Sequence, residues 1–112
     1  MNDATNNDRE IGDDFSIARA TQGNAGRGAT WVRGSLNDHS FDALVFPKHA
    51  ENPDFELGDS RISKLWVKRQ ADQQIVANFD RGWDVRPTTD EAAAIVDFLC
   101  AGLADEFYGP NA

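Results

Sequence analysis

One stretch of the chain, residues 89–107, carries apolar residues at helical spacing: Ala92, Ile95, Val96, Leu99, Leu103 and Phe107. Steps of three and four place all six on one stripe of a helix. Thr88 stands three residues ahead of Glu91, a capping-box spacing. Asp90 and Glu91 suit the positive end of a helix dipole, and Gly109-Pro110 supplies the stop. The upstream runs are short and β-prone. A lone amphipathic helix must bury its stripe somewhere, and a sheet is the available surface.

That sheet reads as two hairpins. Thr30–Leu36 is rich in β-formers, Asn37-Asp38 is a turn signal, and residues 39–46 alternate so that Phe41, Ala43 and Val45 share a face. Pro47 ends the second strand, and the Pro, Asn, Gly and acidic content up to Ser60 reads as a loop. Residues 61–69 form a third strand, Ala71-Asp72-Gln73 a turn, and residues 74–79 a fourth. Residues 80–87 then connect to the helix. The expected fold class is α+β: a four-stranded antiparallel sheet of two hairpins packed against one C-terminal helix, a single ββββα domain over residues 30–109. Residues 1–29, rich in Asn, Asp, Gly and Thr, read as a flexible N-terminal tail ending in a linker over 21–28. Phe15, Ile17 and Ala18 are its one apolar cluster. They read either as a short strand or helical turn added to the domain, or as disordered with the rest.

A length of 112 residues with 40% hydrophobic and 27% charged content fits one globular domain. The single cysteine, Cys100, excludes an intramolecular disulfide and suits a reducing, cytoplasmic setting. No run approaches the length of a membrane span, and Met1 to Glu10 lacks the basic start and apolar core of a signal peptide. The net charge of −8, from 19 acidic and 11 basic residues, repels phosphate backbones at long range. It disfavours direct nucleic-acid binding and favours a partner with a basic surface.

The charge is unevenly placed. Residues 30–86 hold eight basic and nine acidic side chains, whereas residues 87–112 hold Asp90, Glu91, Asp97, Asp105 and Glu106 with no Lys or Arg. On a helical wheel Asp90, Asp97 and Asp105 lie opposite the apolar stripe, with Glu91 and a partly exposed Phe98 nearby. Solvated helix faces usually mix signs, because opposite charges four residues apart help stability. The face reads either as solvated surface or as a docking site for a basic partner, with Phe98 as apolar anchor. The third strand suggests another surface. Alternation puts Ile62, Lys64, Trp66 and Lys68 together, with Arg81, Arg86 and Trp83 nearby in sequence. An aromatic between lysines suits base stacking, or lysine stems shielding an aromatic.

The segments Arg61-Ile62-Ser63-Lys64-Leu65 and Asn78-Phe79-Asp80-Arg81-Gly82-Trp83-Asp84, followed by Pro87, resemble the pattern G-R-I-S-K-L, then N-Y-D-R-G-W-D, then a terminal helix. That pattern marks a family of small bacterial, phage and plasmid proteins, and the resemblance covers residues 30–107. Asp59-Ser60 stands where the family usually has glycine, and Phe79 where it has tyrosine. The resemblance implies a mobile-element context and, by analogy, an inhibitor of host defence machinery. Within the second motif, Gly82 suits a left-handed turn, Trp83 a cap on the core, and Asp80 and Asp84 hydrogen bonds to the loop or to Arg81 and Arg86.

Catalytic signals are missing from the sequence. Cys100 sits at the edge of the apolar stripe with no evident basic neighbour, as a structural thiol does. His39 and His49 have no partner at metal-ligand spacing, and Asp80 with Asp84 is not an acid–base pattern. No phosphate-binding loop or nucleophile elbow appears. The expected function is therefore non-catalytic, without metal or cofactor: a small acidic protein that inhibits a basic, nucleic-acid-handling host target in the manner of an anti-CRISPR. Two alternatives stand beside it. One is a nucleic-acid-binding module using Lys64, Trp66, Lys68, Arg81 and Trp83. The other is a self-assembling protein, such as a homodimer paired through an edge strand.

Overall fold

The computed structural model describes residues 11–22 and 29–109. The chain runs through β1 (Ser16–Gln22), β2 (Thr30–Leu36), β3 (His39–Val45), a 3-10 turn (Pro53–Phe55), β4 (Ile62–Arg69), β5 (Ile75–Asp80), β6 (Trp83–Val85) and α1 (Asp90–Tyr108). The strands form one antiparallel sheet in sequential order, with α1 across one face. The fold class is α+β as expected, but the sheet has six strands rather than four. β6 falls in the stretch read as a connection, and β1 falls within the segment assigned to the tail. Most of the expected 21–28 linker lies outside the described residues. No helix among the described residues is long and apolar enough to cross a membrane.

The β2–β3 hairpin turns on Asn37 (φ 51°) and Asp38 (φ 63°), with Leu36 paired to His39. Two consecutive left-handed residues make the tight turn whose twist matches that of the flanking strands, and Asn and Asp tolerate it best after glycine. β1 docks because β2 carries a glycine opposite it. A Cβ on Gly34 would lie 2.3 Å from the Ser16 carbonyl oxygen and 2.8 Å from the Phe41 ring. Ahead of β1, Phe15 stacks on Phe41 with ring centroids 6.0 Å apart and meets Phe98 of α1 edge-on at 5.4 Å. Asp14 accepts a hydrogen bond from the Asn37 N–H at 2.8 Å.

The core lies between sheet and helix. Val32, Leu36, Phe41, Val45, Leu65 and Val67 meet Ile95, Leu99 and Leu103, and each of these side chains is 2% exposed or less. Burying one such side chain is worth about 1.5–3 kcal/mol. Ile62 also faces this core rather than sharing a face with Lys64. Leu44 pairs with Lys64 and Val45 with Ile62, so Ser63 is an extra residue in a bulge that reverses the alternation. The helix cap also differs from the expected capping box. Thr89, not Thr88, is the N-cap, its hydroxyl accepting from the Ala92 N–H at 2.9 Å. The Thr88 N–H is occupied by the Val76 carbonyl at 3.0 Å.

Candidate functional site

The face of the sheet away from α1 is not covered by any described element. Cross-strand pairing places Trp31 and Arg33 of β2, Asp42 and Leu44 of β3, and Lys64, Trp66 and Lys68 of β4 on it, with Arg19 and Thr21 of β1 at one side. Asn78 and Asp80 of β5 continue the same surface. Trp31 and Trp66 reach across β3 and stack, with centroids 6.2 Å apart and planes 22° from parallel. A shallow depression beside them, about 450 Å³, is lined by Arg19, Thr21, Arg33 and Asp42. Arg33 pairs with Asp42 at 2.7 Å and Lys64 with Asp80 at 3.7 Å, while Arg19 and Lys68 make no ion pair among the described residues. Beside Trp66, the buried Asn78 Oδ1 finds no hydrogen-bond donor. Ile75, 42% exposed, sits opposite Lys68 at the end of the face.

Lys64, Trp66 and Lys68 therefore share one surface, but Arg81 and Trp83 do not join them. Trp83 pairs with Phe79 on the core side of the sheet and meets its ring edge-on at 5.3 Å, with the Arg86 guanidinium 5.9 Å above the indole. Arg81 stands in the β5–β6 turn with its guanidinium 5.6 Å over the Phe55 ring. Sequence reasoning missed Trp31 and Arg33, although alternation in Thr30–Leu36 places both opposite Val32 and Leu36.

On α1, Asp90, Glu91 and Asp97 are exposed and make no ion pair among the described residues. Asp105 is engaged. Its carboxylate accepts from Arg61 Nη2 at 2.5 Å, and that guanidinium also donates to the carbonyls of Gly109 at 3.0 Å and Pro47 at 3.1 Å. Arg61 is only 4% exposed. It supplies the cation that the last helical turn lacks, where unsatisfied carbonyls make the dipole negative. Phe98 is half-buried beneath Phe15 and Gly12. The five helix residues thus divide into an open acidic trio and two that hold the fold.

The β3–β4 loop builds a polar centre that the sequence did not suggest. Glu56 is 7% exposed. One carboxylate oxygen meets His49 Nδ1 at 2.6 Å and the Arg61 N–H at 2.8 Å, and the other accepts from the Ala50 N–H at 2.7 Å. Burial alone would raise the Glu56 pKa, but the hydrogen bonds from His49, Ala50 and Arg61 outweigh it and hold the carboxyl below its ordinary value. Between this loop and the β5–β6 turn lies a cleft of about 770 Å³. The two sequence motifs meet at its edge, where the Arg81 N–H donates to the Ser63 carbonyl at 3.0 Å.

The remaining titratable candidates are structural. Cys100 is pushed up to about 11, first by burial and then by Asp97, against a hydrogen bond with Ser60. His39 is buried, its Nδ1 2.7 Å from the Asn37 carbonyl. Among the described residues no three His, Cys, Asp or Glu side chains cluster as metal ligands do.

No curated protein and no solved structure matches the chain. One family model, described as "Domain of unknown function (DUF7678)", matches residues 30–104, from the start of β2 to the last turns of α1, leaving β1 outside. The chain therefore belongs to the DUF7678 family.

Proposed function

We propose that the protein is a non-catalytic binding protein whose contact surface is the uncovered face of the sheet, and that this face takes a single-stranded stretch of nucleic acid. The observation that carries the reading is the stacked Trp31–Trp66 pair on a face holding four cations, Arg19, Arg33, Lys64 and Lys68, against two carboxylates, Asp42 and Asp80. Base–aromatic stacking is worth about 1–3 kcal/mol per base and tolerates any sequence. The net charge of −8 weakens long-range attraction, but much of it sits on α1 and in the β3–β4 loop. The face itself is locally positive, and field at contact range decides docking once screening cuts in beyond about 10 Å.

The test is a binding titration of the full chain with a fluorescent twelve-nucleotide oligothymidine and its RNA counterpart, across a range of salt. Micromolar binding is expected, with a log–log salt slope of about −2 from two or three phosphate contacts. Trp66→Ala should weaken it at least tenfold. Absence of binding at low salt, or binding indifferent to Trp31→Ala and Trp66→Ala, would sink the reading.

A second reading rests on the acidic trio. Asp90, Glu91 and Asp97 form a single-sign face on a helix without a basic residue, which suits docking to a basic surface. An inhibitor of a nucleic-acid-handling host protein, of the kind mobile elements carry, would use it. The variant Asp90→Asn/Glu91→Gln/Asp97→Asn separates the two, because it leaves the sheet face untouched. Pull-down of a basic host protein by the wild type but not by this variant supports the second reading. Capture that survives the variant excludes the trio as its contact.

A further inference from the structure

The cleft between the β3–β4 loop and the β5–β6 turn, we infer, is a binding site for a small anion carried on a flat apolar body, a carboxylate or phosphate on a ring. Its volume of about 770 Å³ lies within the range of ordinary small-molecule sites. Phe46, Pro47 and Phe55 give it apolar walls. Phe55 is 44% exposed, so its ring is open to a ligand in the cleft.

The charges sort into those already committed and those available. Glu56, the one buried carboxylate at the wall, has both oxygens occupied by His49 and two backbone N–H groups. Arg61 is committed to Asp105 and two carbonyls. Lys48, Arg81 and the second ring nitrogen of His49 remain, with exposed Glu51 and the already hydrogen-bonded Glu56 as the opposing charges on the lining. Nδ1 is taken by Glu56, so Nε2 is the nitrogen left for a ligand, and it donates to an anion in the imidazolium form, where both ring nitrogens carry a proton. The Arg81 guanidinium stands 5.6 Å from the Phe55 ring centre, so an aromatic ring in the cleft would find a ring to pack on and its anionic group a guanidinium to meet. This site is separate from the open sheet face, so it stands or falls without the nucleic-acid reading.

NMR titration of the isotopically labelled full chain tests it, with phenyl phosphate, benzoate and inorganic phosphate as probes at constant ionic strength. Saturable shifts at His49, Phe55 and Arg81 are expected from phenyl phosphate or benzoate, at least tenfold tighter than from inorganic phosphate. Whichever of the two binds tighter identifies the anionic group. Arg81→Gln should weaken binding about tenfold with melting temperature unchanged, since its side chain is exposed and outside the core, whereas His49→Asn should weaken binding and also lower the melting temperature, because it takes a partner from the buried Glu56 carboxylate. Shifts confined to the Trp31–Trp66 face, equal affinity for the ring compounds and inorganic phosphate, or affinity unchanged in Arg81→Gln, would overturn the assignment.

Discussion

Arg61 and Asp105, 44 positions apart in the chain, meet at 2.5 Å and lock the end of the helix to the loop that leads into β4. The partners are unequal, since Arg61 is buried whereas the Asp105 side chain is 48% exposed. Asp105→Asn removes the charge but leaves an amide oxygen that can still accept from Arg61, so it should cost about 1.5 kcal/mol. Asp97→Asn, on the open side of the same helix, should stay within about 0.5 kcal/mol. Urea denaturation of the two variants reads the difference. Equal, small effects would mean that the guanidinium is well solvated without Asp105.

β1 depends on the absence of a side chain at position 34. Gly34→Ala puts a methyl group where the Ser16 carbonyl oxygen and the Phe41 ring already stand. Overpacking of this kind costs about 1–3 kcal/mol. The strain should be released locally, by loss of β1 pairing. Hydrogen exchange should therefore speed up at β1 amides well before those of β3 and β4. Phe15→Ala, which removes the stack on Phe41 and the edge contact to Phe98, should act in the same direction by about 2 kcal/mol.

How much of this could be read from sequence follows from how local each determinant is. The helix and the β2–β3 turn were legible because periodicity and two left-handed-tolerant residues act within a few positions. β1 was legible only as one of two readings of the Phe15, Ile17 and Ala18 cluster, because its docking needs Gly34 and Phe98, far along the chain. The face of Ile62 was misread because a single extra residue, Ser63, reverses an alternation that looks unbroken. Trp66 and its lysines were found, whereas Trp31 was overlooked despite clean alternation in its strand. The Glu56–His49 pair had no such signal. Seven residues apart in an irregular loop, the two groups reveal themselves only through the hydrogen bonds that surround a buried carboxylate.

Glu56 makes stability depend on pH in a definite direction. Its carboxyl is held below the ordinary glutamate value, so the folded state binds that proton less readily than the unfolded chain. Its contribution is fully present above the unfolded pKa, about 4.3, and is lost as pH falls through the lower folded value. Glu56→Gln should flatten this part of the stability curve. It should also lower stability at neutral pH by about 2 kcal/mol, because an amide cannot accept from His49, Ala50 and Arg61 together. Melting curves from pH 3 to 7 decide it. Identical slopes for both proteins would mean that the carboxylate gains nothing from its hydrogen bonds.

Cys100 should be inert. A thiol pushed up to about 11 leaves, at pH 8, on the order of a hundredfold less thiolate than an ordinary cysteine, and the thiolate is the reactive species. Alkylation of the native protein by iodoacetamide at pH 8 should therefore lag that of the urea-unfolded chain by at least this factor. Comparable rates in the two states would show that the helix edge opens around Ser60.

The Trp31–Trp66 pair offers a test of whether the two rings act together. If both stack on one bound strand, each substitution to alanine removes a base platform and also the neighbour that orients the other ring. The Trp31→Ala and Trp66→Ala losses in oligonucleotide affinity should then not add: the double variant should fall short of the sum by about 1 kcal/mol. A parallel cycle on folding stability separates this from the rings' own contact, which is worth about 0.5–1.5 kcal/mol. Additive losses in affinity, with coupling in stability alone, would assign the stack to holding β2 and β4 across β3 rather than to receiving a ligand.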